Sequence, residues 1–153
     1  MSSLHTWDSY FLRIAQQVSL KSKDPSTKVG AVIVRPDNSL CSVGYNGFPQ
    51  CMPDDASLYA NREEKLSRII HAEVNALTFS RDADLTGYTM YTWPLPPCER
   101  CCVQMLQAGI VRFVAPTMPP SLEERWNTSL SLTKKYIQEC GRELVLIDFT
   151  PSK

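Results

Sequence analysis

From Tyr88 to Ile147 the chain alternates short apolar runs with helical stretches, and this alternation restricts the fold more than any other feature. Tyr88–Thr92 reads as a strand. Cys98–Ala108 reads as a helix closed by Gly109, Val111–Ala115 as a second strand, and Pro116–Pro120 as a loop. Ser129–Cys140 reads as a helix ended by Gly141, and Glu143–Ile147 as the last strand. Upstream, Val29–Val34 and Leu40–Gly44 flank the turn residues Pro36, Asp37 and Asn38, which predicts a hairpin. A helix is expected over residues 7–20, with Thr6 as its cap and Trp7, Phe11, Ile14 and Val18 on one face. Between Asp55 and His71 a further helical region is expected; it breaks near His71 and resumes through Val74, Leu77 and Phe79. A hairpin followed by strand–helix alternation is the pattern of a three-layer α/β/α domain with a mixed sheet.

With 153 residues the whole chain, 1–153, is expected to form a single domain with a sizeable core. No apolar run approaches the ~20 residues that span a bilayer, and Arg13 with two glutamines interrupts the N-terminal hydrophobics. This predicts no membrane partner and a cytoplasmic protein. Sixteen Lys and Arg balance sixteen Asp and Glu, which removes the simplest basis for gripping a long nucleic acid. A small-molecule substrate fits this charge balance better.

Three of the six cysteines cluster at Cys98, Cys101 and Cys102. In a reducing compartment such clusters serve as metal ligands or catalytic groups more often than as crosslinks. Cys98 and Cys101 are three residues apart, so at the start of a helix their sulfurs point the same way, and the helix terminus favours the thiolate form. Pro97 marks that start. A catalytic zinc takes three protein ligands and leaves a fourth position to water. Besides His5 near the N-terminus, His71 is the only histidine and the natural third ligand. Glu73 lies two residues beyond it. From a helix start, a carboxylate there can flank the metal's water and move its protons. Taken alone, the CxxC also fits a structural zinc half-site or a redox pair, and His-x-Glu alone carries little. Their combination favours one catalytic zinc ion per chain, with Cys102 packing as a small hydrophobe.

At these residues the sequence resembles the zinc deaminases, whose His-x-Glu and Pro-Cys-x-x-Cys signature it carries. Val29-Gly30-Ala31-Val32-Ile33, Gly44-Tyr45-Asn46-Gly47-Phe48-Pro49, Asp54-Asp55, His71-Ala72-Glu73-Val74-Asn75-Ala76 and Gln107-Ala108-Gly109-Ile110 extend the likeness. These blocks point towards the deoxycytidylate (dCMP) deaminases. The resemblance implies a cytidine-deaminase-like fold with a mixed five-stranded sheet. The implied reaction is hydrolysis of dCMP to dUMP and ammonia, feeding thymidylate synthesis, in a homo-oligomer of hexamer size or smaller. By the same resemblance Asn46 would bind the sugar and the Ala72 backbone N–H the base, with Ser26, Thr27 and Lys28 in the loop near the 5′-phosphate. Hydroxyls and a lysine suit a phosphate; the bland reading of that loop is a solvated turn.

Two departures stand out. Cys51 occupies a position where the family often has glycine, in a loop associated with nucleotide effectors, so dCTP or dTTP control does not carry over. The stretch Trp93-Pro94-Leu95-Pro96-Pro97 is longer and richer in proline than the family pattern and is expected in the pocket wall. Tyr91 and Trp93 fit either base stacking or the core. The competing readings are a tRNA adenosine deaminase, which the neutral charge disfavours, and a non-catalytic zinc module, which has no use for Glu73.

Overall fold

The computed structural model describes residues 6–148. His5, the other histidine, lies outside them. The elements are α1 (Trp7–Ser19), β1 (Gly30–Val34), β2 (Leu40–Tyr45), α2 (Ala56–Ala60), α3 (Arg62–Arg68) and α4 (Ala72–Thr78). They continue with β3 (Thr89–Trp93), α5 (Glu99–Ala108), β4 (Arg112–Pro116), α6 (Pro120–Arg125), α7 (Asn127–Glu139) and β5 (Glu143–Ile147). Thr6 caps α1 by accepting the Ser9 N–H at 3.1 Å, which satisfies one of the first-turn amides.

The five strands form one mixed sheet in the order β2-β1-β3-β4-β5. β1 is antiparallel to both β2 and β3, whereas β3, β4 and β5 run parallel. The parallel pairs follow from the helical crossovers between them. Alternation along the strands divides the core into two layers. Val32, Val34, Tyr91 and Val114 pack with Phe11, Leu12 and Ala15 of α1. Ala31, Ile33, Met90 and Phe113 face the other way, against Ala72, Ala76, Cys102, Met105 and Ile137 of α4, α5 and α7. The three-layer α/β/α arrangement with a mixed five-stranded sheet is thus the observed one. Tyr91 is buried under Phe11, with its hydroxyl donating to Asp8, and Trp93 packs beside the same layer. Of the two roles open to these aromatics, the core is the one they take.

Two close approaches set the helices that matter for chemistry. A Cβ on Gly44 would come within 2.4 Å of the Ala76 nitrogen and 2.5 Å of the Ala72 oxygen, so the bare backbone of β2 lets α4 lie directly on it. Gly109 ends α5 in the left-handed region at φ 108°, which favours glycine. The chain differs from expectation between Pro116 and Ser129. The loop stops at Pro119, α6 occupies Pro120–Arg125, and α7 begins at Asn127 rather than Ser129. No residue of α6 is buried, so it has no apolar stripe for a periodic pattern to reveal.

Candidate active site

The ends of the elements converge at one edge of the sheet. Gly30 pairs with Trp93, so the start of β1 adjoins the carboxyl end of β3, and β4 ends on the same side. Crevices at the carboxyl ends of strands are the usual ligand sites of open α/β sheets. A cavity of about 240 Å³ opens here, and its lining includes His71, Ala72, Glu73, Cys98, Asn46, Ser26 and Thr27.

His71 is the cap residue of α4, yet its side chain makes no capping bond, which leaves the ring free to face the cysteines. Cys98 caps α5, and its sulfur accepts the Cys101 N–H at 3.5 Å. The expected helix start at Cys98 therefore shifts to Glu99, and the two sulfurs still converge. His71 Nδ1 lies 3.2 Å from Cys101 Sγ and 3.5 Å from Cys98 Sγ, and the three ligand atoms fall within 4.8 Å of one another. Around a tetrahedral zinc with Zn–S of ~2.3 Å and Zn–N of ~2.0 Å, sulfur and nitrogen ligands sit roughly 3.5 Å apart. Spacing and donor set both fit zinc. Among the described residues this is the only such metal-competent group.

The thiols are already polarised for that task. Hydrogen bonds from the Cys101 thiol and from His71 hold Cys98 well below the usual thiol range, whereas sharing its proton with Cys98, together with burial, drives Cys101 up. The Cys98 thiolate in turn raises the His71 imidazole against the effect of burial. Cys102, fully buried beneath them, is pushed up to about 12 by desolvation and remains a thiol within the core. Glu73, in the first turn of α4, is 4% exposed, and burial lifts its carboxyl to about 7 against its own backbone N–H and His71. Helix α7 braces the Cys98 segment: Thr133 donates to the Pro97 carbonyl at 2.8 Å and Ser129 to Glu99 at 2.7 Å.

The other end of the cavity is organised by Asp24, which is 5% exposed. Its Oδ1 accepts the Ser26 N–H at 2.8 Å and the Lys65 ammonium at 2.9 Å, and its Oδ2 accepts from Asn46 Nδ2 at 3.3 Å. Asn46 also donates to the Thr27 carbonyl at 2.9 Å and accepts the Val29 N–H at 2.9 Å. Asn46 thus lines the cavity and also clamps the loop that carries Ser26 and Thr27. Both residues line the cavity, Ser26 exposed and Thr27 half-buried. Lys28 departs from the expectation: it is absent from the lining, and its Nζ donates to the Ser22 carbonyl. Leu95, Pro96 and Pro97 do form part of the wall.

Sequence reasoning missed Asp24, Arg62, Lys65, Arg125 and Trp126, all of which line this cavity. Asp24-Pro25 carried a usable signal, since aspartate before proline commonly opens a turn. The rest carried none, because the elements that bring them in show no periodic pattern.

The comparisons with known proteins bear on this geometry. The model of the family described as "Cytidine and deoxycytidylate deaminase zinc-binding region" matches residues 5–117. The chain belongs to that family. As a member it is a deaminase with a zinc-binding region, and His71, Cys98 and Cys101 form its candidate zinc site. It is 34% identical over 138 residues to a protein of Aliivibrio fischeri named "Uncharacterized deaminase in luxG 3'region", covering 90% of this chain and 91% of that one. Human deoxycytidylate deaminase is 33% identical over 155 residues, covering 94% and 85%. The crystal structure of dCMP deaminase from the cyanophage S-TIM5 in apo form superposes with a TM-score of 0.71 at 20% identity, over 96% of this chain and 100% of that one. The same phage protein in complex with dCMP and dUMP gives 0.67, likewise at 20% identity, over 91% and 95%. At that identity the likeness speaks for the deaminase fold. Among the described residues no helix is long and apolar enough to cross a membrane.

Proposed function

We propose that the chain hydrolyses dCMP to dUMP and ammonia, with one zinc ion held by His71, Cys98 and Cys101. The observation that carries this reading is a single cavity with two chemically distinct ends. A nitrogen–thiolate trio beside a buried glutamate lies at one end, and a loop of hydroxyls and amides pinned by Asp24 at the other. The relatives named for dCMP support the same substrate.

When bound, zinc supplies a Lewis acid that makes water nucleophilic near neutral pH. Glu73 accepts a proton from the attacking water and delivers it to the departing amine, so the carboxylate is restored in each cycle. The Ala72 N–H holds the base; its position in the first turn of α4, where amides lack helical partners, supports that role. Asn46 meets the sugar, and Ser26 and Thr27 lie by the 5′-phosphate. Leu95–Pro97 and Leu130 exclude water from the reacting face. The reading takes residues 1–153 as one domain working as a homo-oligomer in the cytoplasm, where thiolate ligands stay reduced.

Ammonia release from dCMP, CMP, deoxycytidine and an adenosine stem-loop RNA is the test. The expected result is fastest turnover of dCMP, well above deoxycytidine. Equal rates on those two, or turnover confined to the RNA, would remove the dCMP assignment.

A further inference from the structure

The segment that delivers Cys98 to the zinc trio has little means of holding itself in place. Residues 94–97 read Pro94-Leu95-Pro96-Pro97, and the three prolines have no backbone N–H to donate. Such a stretch is anchored by its carbonyls, its packing and the one amide of Leu95. Among the described residues a single hydrogen bond reaches it: the Thr133 hydroxyl donates to the Pro97 carbonyl at 2.8 Å. Pro97 and Thr133 are both buried, so solvent offers that carbonyl no ready substitute. Pro97 stands immediately before the ligand.

A second bond falls immediately after it. Ser129 donates to Glu99 Oε1 at 2.7 Å, and Glu99 is the first residue of α5. Ser129 and Thr133 are four residues apart on α7, so their hydroxyls share one helix face. Cys98 itself is the cap residue of α5, with extended backbone angles, and the helical ladder holds it from one side only, through the Cys102 N–H on its carbonyl at 2.8 Å. Two hydroxyls of α7 therefore bracket a ligand that its own segment secures poorly. The proline-rich stretch departs from the family pattern, and the helix that grips it lies beyond residue 117, where the family match ends.

We propose that Thr133 and Ser129 are positioning residues for the zinc centre: from α7 they hold Cys98 where its sulfur converges with Cys101 and His71. The inference rests on the zinc reading of those three ligands and is independent of which nucleotide is deaminated. It makes the C-terminal helix a support of the metal site although it supplies no ligand.

The test uses the full chain and its variants Thr133→Val, Thr133→Ser and Ser129→Ala. Zinc affinity is read by titration against a competing chelator, and the rise in Tm on adding zinc is read in parallel. No substrate is added, so the outcome does not depend on the dCMP assignment. Valine keeps the shape of Thr133 and removes its donor; serine keeps the donor and trims a methyl. Thr133→Val should bind zinc roughly 10- to 100-fold more weakly, the usual weight of a group that orients a metal ligand. Ser129→Ala should bind it roughly 2- to 10-fold more weakly, as one hydrogen bond is worth. Thr133→Ser should stay near the wild-type affinity. A contact that only stabilised the fold would lower Tm equally with and without zinc and leave the zinc-induced rise unchanged. Thr133→Val or Ser129→Ala with wild-type zinc affinity, or Thr133→Ser as weak as Thr133→Val, would overturn the brace while the zinc reading stands. Ser129 is half-buried, so its alanine variant folds and decides alone should Thr133→Val fail to fold. A wild-type chain that binds no zinc would overturn both.

Discussion

Replacing Gly44 by alanine tests the link between the sheet and the metal. The new Cβ would sit 2.4 Å from the Ala76 nitrogen, 2.5 Å from the Ala72 oxygen and 2.9 Å from the Asn75 carbonyl carbon. All three are backbone atoms of α4, so no rotamer relieves the contact. Restoring van der Waals separation requires α4 to retreat by roughly 1 Å. Overpacking of this kind costs about 2–3 kcal/mol, which for a chain of this length lowers Tm by roughly 5–10 °C. The same retreat carries His71 and Glu73 with it. Metal–ligand distances tolerate only ~0.2 Å, so zinc affinity should fall by ~10-fold or more. Gly47→Ala is the internal control: its Cβ would meet only Tyr59 Oη at 3.8 Å and Tyr45 Cε1 at 3.9 Å, ordinary contacts. Thermal melts of the zinc-loaded proteins and a competitive chelator titration read both effects. Gly44→Ala with the Tm and zinc affinity of Gly47→Ala would refute the claim that α4 is seated through that glycine.

Two further outcomes follow from the structure. Cys101→Ala should lose zinc and activity together. Cys102→Ala should keep zinc and cost about 1–2 kcal/mol for the small cavity it leaves, read by metal analysis and denaturant melts; the reverse pattern would reassign the ligand. Asp8→Asn should destabilise the protein by about 1–3 kcal/mol at pH 7, because Arg112 grips both carboxylate oxygens at 2.7 and 2.6 Å and Tyr91 donates a third bond at 2.7 Å. Arg112 holds the Asp8 carboxyl below 3.8, so this stabilisation is present above the unfolded value and fades as pH falls through the folded one. Wild type and variant should draw together in melts as pH falls through the folded value of Asp8; a gap that stays unchanged down to full protonation of the carboxyl would contradict the ion pair's role.

The parts of the fold that could be read from the sequence are those whose burial is periodic. The hairpin, the strand–helix alternation after Tyr88 and the glycine stops at 109 and 141 each carry a local cause, whether alternation, turn chemistry or positive φ. The zinc trio was legible for a different reason: three soft or borderline donors at helix starts have few alternative uses. What stayed hidden depends on elements without an inward stripe. Neither α3 nor α6 buries a residue, and these short polar helices deliver Arg62, Lys65 and Arg125 to the cavity. Lys28 shows the converse. Its position in a polar loop suggested a ligand contact, but its ammonium donates to the Ser22 carbonyl of the same loop, a local bond that composition does not reveal.

The central claim, that Glu73 moves protons beside a zinc ion held by His71, Cys98 and Cys101, is tested most directly by Glu73→Gln. Zinc content and dCMP turnover would be measured in the same samples of wild type and variant. The account predicts one zinc per chain in both and a fall in turnover of roughly 100- to 10,000-fold in the variant, the usual weight of a general acid–base group. A variant that keeps zinc and still deaminates dCMP at near the wild-type rate would contradict it.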